Sequence, residues 1–243
     1  MKKIFCLVLV LVLALTALVA CKKTEKEDVK GEGVMTYAEY DAAELDAEVV
    51  IETYVQAKQS WWDNKATLYT ADKDGAYFIY NCACTEAEYA KLTPGTKIKV
   101  TGHKSEWSGE VEVIDAAFEI EEGSYVAPAV DLTYVFGTDE LIKHQNEFFT
   151  VKGLTGEAMD DGAAFWYSWD NSGEDGSDLY FKVKLGENVY TFTVESYLCG
   201  AETDVYKAVK ELNVGDTIDV EGFLYWYEGV NPHITAVKNA NAK

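Results

Sequence analysis

The chain of 243 residues contains no arginine: all 21 basic residues are lysines, set against 42 Asp and Glu, for a net charge of −21. Arginine supplies the rigid two-pronged donor that grips phosphate and carboxylate. A nucleic-acid binder also needs a basic stripe to release condensed counterions. At long range this chain repels a phosphate backbone, so nucleic acid is disfavoured as a partner. Histidine is scarce too: His103, His144 and His233 stand far apart. No Ser, His and acid grouping suggests an activated nucleophile, and no glycine-rich phosphate loop appears. With 42 acids, paired carboxylates arise by chance. Nothing compels an enzyme, a cofactor or a metal site.

What is present is hydrophobic and aromatic. Hydrophobic residues make up 48% of the chain, which excludes disorder for most of it, and there are 16 Tyr, 10 Phe and 6 Trp against 3 Pro. Val, Ile, Thr and Tyr dominate the periodic segments, which favours sheet over helix. One stretch has an echo: residues 92–114 (LTPGTKIKVTGHKSEWSGEVEVI) return at 212–234 (LNVGDTIDVEGFLYWYEGVNPHI). Leu92/Leu212, Gly95/Gly215, Ile98/Ile218, Val100/Val220, Gly102/Gly222 and Gly109/Gly229 coincide at an offset of 120. A fixed-period match says that one fold unit is present twice, and the length suits two tandem domains.

In the first copy, strands are predicted over 48–58, 65–71, 76–84, 97–103 and 111–120, with a helix over 86–92 between the third and fourth, capped by Thr85. In the second, strands are predicted over 147–155, 179–185, 189–198, 216–226 and 232–237, with an extra edge strand over 132–136 and a helix over 202–212. Glu48 aligns weakly with Glu147, an offset of 99, so the second copy carries 120 − 99 = 21 extra residues, placed mostly in 156–178.

Three strands, a helix and two strands, with Leu-x-x-Gly-x-x-Ile-x-Val-x-Gly leading into strand four, resemble the OB-fold. The resemblance implies an all-β chain with short helices: two tandem five-stranded Greek-key barrels, with the helix plugging one end of each. Gly102 allows the sharp bend that a small barrel requires.

The amino terminus reads differently. Met1, Lys2 and Lys3 precede an uncharged, mostly apolar run over 4–20 that ends in Leu18-Val19-Ala20-Cys21. This resembles the bacterial lipoprotein signal, which implies cleavage before Cys21, acylation of its thiol, and a mature chain anchored outside the cytoplasm. The expected organisation is a signal peptide over 1–20, a flexible charged tether over 21–35, a first domain over 36–123, a linker over 124–133 and a second domain over 134–239. As a whole the chain is similar to bacterial lipoproteins with tandem OB-like domains. Cys82, Cys84 and Cys199 then remain, an odd number read as small buried hydrophobes.

By the same resemblance, ligands meet the face around strands two and three and the loops between strands one and two and strands four and five. Aromatics gather there: Trp61, Trp62 and Trp107 in the first copy, and Trp166, Trp169, Tyr225, Trp226 and Tyr227 in the second. Such rings stack on sugars or bases, or anchor a protein interface; the plain alternative is core packing. The acidic loop 170–178 departs from the calcium-loop pattern and reads as a solvated turn. The expectation is a lipid-anchored, non-catalytic binding or adaptor protein that takes a glycan or a protein on aromatic rims, with single-stranded nucleic acid as the alternative.

Overall fold

A computed structural model describes residues 30–239; the expected signal peptide and Cys21 lie outside the described residues. The element order is α1 (Tyr37–Ala42), β1 (Glu48–Lys58), β2 (Lys65–Ala71), β3 (Ala76–Ala83), α2 (Glu86–Tyr89), β4 (Thr96–Trp107) and β5 (Glu110–Ser124). There follow β6 (Val130–Asp131), a 3₁₀ turn (Leu141–His144), β7 (Phe148–Glu157), β8 (Trp166–Tyr167), β9 (Leu179–Leu185), β10 (Asn188–Val194), α3 (Asp204–Lys210), β11 (Thr217–Phe223) and β12 (His233–Asn239).

The first copy closes as a barrel in the order β1-β2-β3-β5-β4. In the second, β7-β11-β12-β10-β9 closes through a β7–β9 pairing, with β6 and β8 as edge additions. In each ring the third and fifth strands pair parallel while the other contacts are antiparallel. The molecule is therefore two five-stranded OB-type barrels. Each fills its interior with its own inward-facing residues: Ile51, Leu68, Ile79, Ile98 and Val100 in one, Val151, Phe181, Phe192, Ile218 and Val220 in the other.

The glycine in each fourth strand marks a kink. Gly102 and Gly222 sit at register shifts in the β4–β5 and β11–β12 ladders. A Cβ there would meet the Ile114 carbonyl oxygen at 2.7 Å or the His233 carbonyl oxygen at 2.3 Å, so only glycine admits the close backbone approach.

Several expectations shift. Ile51 faces Val100 and Val151 faces Val220, so the first strands align at an offset of 100, not 99, and the excess is 120 − 100 = 20 residues. The interval between first and second strands grows from residues 59–64 to 158–178, as expected of the insertion. The edge strand is Val130–Asp131, parallel to β7; residues 132–136 are turns that bury Leu132 and Phe136 in the second core. The strand expected over 189–198 ends at Val194, so Cys199 follows it by five residues. The end of the expected tether is pinned: Lys30 pairs with Asp72 at 2.7 Å, both side chains nearly buried, and the Met35 N–H donates to the Val50 carbonyl.

The barrels dock. Tyr69 of β2 and Phe78 of β3 point out of the first barrel, yet are almost wholly buried against Phe223, Phe148 and Tyr225 of the second. The Tyr69 hydroxyl lies 2.7 Å from His233 Nδ1. Burial of both faces of β2 and β3 thus marks the seam.

Candidate functional site

The turn after β1 fixes the first side chain of the site. Residues 62–65 close a tight turn in which the Trp62 and Lys65 backbones bond each other at 3.2 and 2.9 Å. Its central residues, Asp63 (φ 49°) and Asn64 (φ 56°), are left-handed, a conformation that short polar side chains tolerate and that matches the twist of the flanking strands. The turn holds the Trp62 ring in solvent, 71% exposed. Tyr80 rises from the open end of β3, and Tyr197 approaches from the turn after β10 of the second barrel. The Ser60 N–H donates to the Tyr197 carbonyl at 2.7 Å and locks the two barrels together there.

These three rings, with Gln59, Ser60, Lys65, Thr67 and Asn81, line a groove of about 370 Å³. It occupies the part of the β2–β3 face that the second barrel leaves open. The Asn81 N–H donates to Thr67 Oγ1 at 3.2 Å across the strand pair and stiffens the floor. Three exposed aromatic faces around one lysine and four amide or hydroxyl side chains can stack a planar ring and contact one anionic group.

The aromatics singled out in the sequence divide. Trp62 lines the groove. Trp107 and Tyr227 are exposed on neighbouring hairpin tips, joined by the Glu228 N–H donating to the Ser108 carbonyl at 2.7 Å. Trp169 stands 74% exposed on the inserted loop. The other four are engaged internally. Trp61 donates from Nε1 to the Cys84 carbonyl at 2.8 Å and packs on the first core. Trp166 donates from Nε1 to Asp161 at 2.8 Å, and Trp226 packs on the second core and over Gly109. Tyr225 stacks on His233, with ring centroids 4.2 Å apart. Tyr80 and Tyr197 were not among the site residues, although the alternation of β3 turns Tyr80 outward.

Titratable groups follow burial. Desolvation holds His233 down at about 3 and lifts Glu195 to about 7. Burial pushes the Cys82 thiol up to about 12 and those of Cys84 and Cys199 to about 11, which makes them poor nucleophiles. In the acidic loop, Asp170 Oδ1 accepts from both the Ser172 N–H and hydroxyl and is committed to the turn.

No family model matches the chain, and no characterised protein matches it in sequence. Solved structures do resemble it in shape. The p204 HINb domain aligns at a TM-score of 0.36 and 11% identity, covering 81% of this chain and 100% of that one. A murine DNA-binding protein bound to double-stranded DNA gives 0.36 and 13%, covering 80% and 97%. The complex of p202 HIN1 with 12-mer double-stranded DNA gives 0.32 and 12%, covering 82% and 95%.

Two expectations are corrected here. A glycan or protein ligand on aromatic rims, with nucleic acid disfavoured, gains no support from these structures, two of which are described as complexes with double-stranded DNA. Of the eight aromatics, Trp61, Tyr225 and Trp226 pack internally and Trp166 bonds Asp161, while Trp62, Trp107, Trp169 and Tyr227 stay exposed. The physical error lay in arguing from net charge: repulsion summed over a chain is screened within about 8 Å at physiological salt, so it does not decide what a local groove takes.

Proposed function

We propose that this chain is a non-enzymatic binding protein whose inter-barrel groove takes a short single-stranded nucleic-acid segment, held by base stacking on Trp62, Tyr80 and Tyr197. The observation that carries this reading is the meeting of three solvent-facing rings from two barrels beside a single lysine. Base–aromatic stacking contributes about 1–3 kcal/mol per base and tolerates any sequence. Among the described residues Lys65 is the one cation lining the groove, and it serves one phosphate. Affinity is therefore modest, and its dependence on salt shallow, with a log–log slope no steeper than about −0.7 for one phosphate contact.

Fluorescence anisotropy of a labelled oligothymidylate tests this. Micromolar binding is expected, weakened about tenfold or more by Trp62→Ala and unchanged by Trp169→Ala. Equal losses in both variants, or no binding at all, would sink the reading.

We further propose export and lipid anchoring at Cys21, supported by the Leu18-Val19-Ala20-Cys21 sequence after its apolar run. Cys21→Ala should move the chain from the membrane to the soluble fraction; retention in the membrane would refute the anchor.

A further inference from the structure

Glu110 opens β5 and is completely buried where the barrels meet. Its Oε2 accepts from the Trp226 N–H at 2.8 Å and from Gln145 Nε2 at 3.4 Å, both donors belonging to the second barrel. Its Oε1 is buried without a partner. Asn146, also of the second barrel, donates from Nδ2 to the Val111 carbonyl at 3.1 Å, and its Oδ1 is likewise buried and unpartnered. Burial lifts the Glu110 carboxyl, against a smaller downward pull from the Trp226 N–H and the Asn146 side chain. A buried carboxylate oxygen left without a donor is costly, and a proton on the carboxyl removes the charge that would demand one.

The surrounding groups supply no countercharge. Glu112 shares the strand, Tyr40 faces Glu110 from α1, Tyr69 from β2 and Tyr225 from the loop after β11. The buried Lys104 ammonium is turned to the carbonyls of Tyr40, Asp41 and Ala43. On the 3₁₀ turn, Lys143 pairs with Glu140 and His144 with Glu147.

We propose that Glu110 crosses the seam as a neutral carboxylic acid, and that removal of its proton opens the barrels. Desolvation agrees, pushing Glu110 up to about 9 and Glu112 to about 7. The sign is fixed by linkage. In an open seam Glu110 ionises near its ordinary 4.5, and in the docked one near 9. The docked state thus holds the extra proton across that window, and Glu110 lowers the docked-to-open ratio by up to tenfold per pH unit as pH rises through it. His233, held down at about 3, acts oppositely, but only below its ordinary 6.5.

Small-angle scattering of the full chain at pH 6.5 and 9.5 provides the test, with the infrared carbonyl band of a protonated carboxyl as a second readout. The wild type should expand at pH 9.5. Glu110→Gln keeps an uncharged side chain in the seam at every pH and should stay compact at both values. The wild-type-minus-variant infrared difference at pH 7 should contain the acid band and lose it by pH 10. Unchanged wild-type dimensions, equal expansion of Glu110→Gln, or a difference spectrum without the acid band would each overturn the proposal.

Discussion

The two barrels share strand order and the fourth-strand glycine, yet they use the same outer face in opposite ways. In the first, the outward residues Tyr69 and Phe78 of strands two and three are 1% and 3% exposed, because the second barrel lies on them. In the second, the corresponding strand β9 alternates buried and half-open residues, with Lys182 and Lys184 facing out. A duplicated fold need not duplicate its ligand face: one copy can spend that face on holding the pair together, and the remnant beside the seam becomes the groove. Both barrels contribute to that groove, so whatever separates them dissolves it.

The sharpest way to break this comparison is to truncate outward residues on each copy. Phe78→Ala should cost about 3–5 kcal/mol in chemical denaturation, as for a buried aromatic elsewhere. Lys182→Ala, whose partner Asp160 is largely exposed, should stay within about 1 kcal/mol. Similar costs at both sites would mean that the seam is not a core.

A second effect concerns acid. His233 is buried beside the Tyr69 hydroxyl, 2.7 Å from Nδ1, and burial holds it at about 3 against its ordinary 6.5. The unfolded chain therefore binds the proton first as pH falls below 6.5, and the His233 contribution is lost between there and 3. Relative to His233→Gln, the wild type should lose up to about 1.4 kcal/mol per pH unit within that window. Parallel pH profiles for the two proteins would show that the imidazole does not sense the seam.

A third comparison sets the kink glycines side by side. Alanine at 222 would drive its Cβ to 2.3 Å from a backbone oxygen, against 2.7 Å at 102. Both should destabilise by about 1–3 kcal/mol, as overpacking does, with Gly222→Ala the worse. The reverse order in denaturant midpoints would mean that β12 yields more easily than β5.

Much of this was legible in the residues, for reasons that also explain what was not. Strands one and two and the first strand after the insertion carry β-branched runs bounded by turn residues, and their ends fall where those signals place them. The slip of one residue in aligning β1 with β7 came from matching Glu48 to Glu147, whereas register is set by the inward face, Ile51 with Val151. The adjacent Trp61 and Trp62 split into one packed and one exposed ring, set by the turn after β1 rather than by a strand. Which exposed rings meet is a property of docking: Tyr197 reaches Trp62 and Tyr80 from the other barrel, far away in the chain. Glu110 was invisible for a different reason, since one acid among 42 carries no mark of burial.

The smallest expected effect separates the two helices. Thr85 caps α2 with a full capping box to Glu88, and Thr203 caps α3 through the Tyr206 N–H alone. By cap chemistry alone, Thr85→Ala should hurt more. But α2 buries no side chain, whereas α3 buries Val205, Tyr206 and Val209 in the second core. Loss of the Thr85 cap can fray α2 while the barrel stands, so the global cost should be below about 0.5 kcal/mol. Loss of the Thr203 cap cannot be relieved without pulling three side chains from the core, and should register at about 1 kcal/mol. Equal global costs, or the larger one at Thr85, would mean that α2 is held in the barrel by more than its cap.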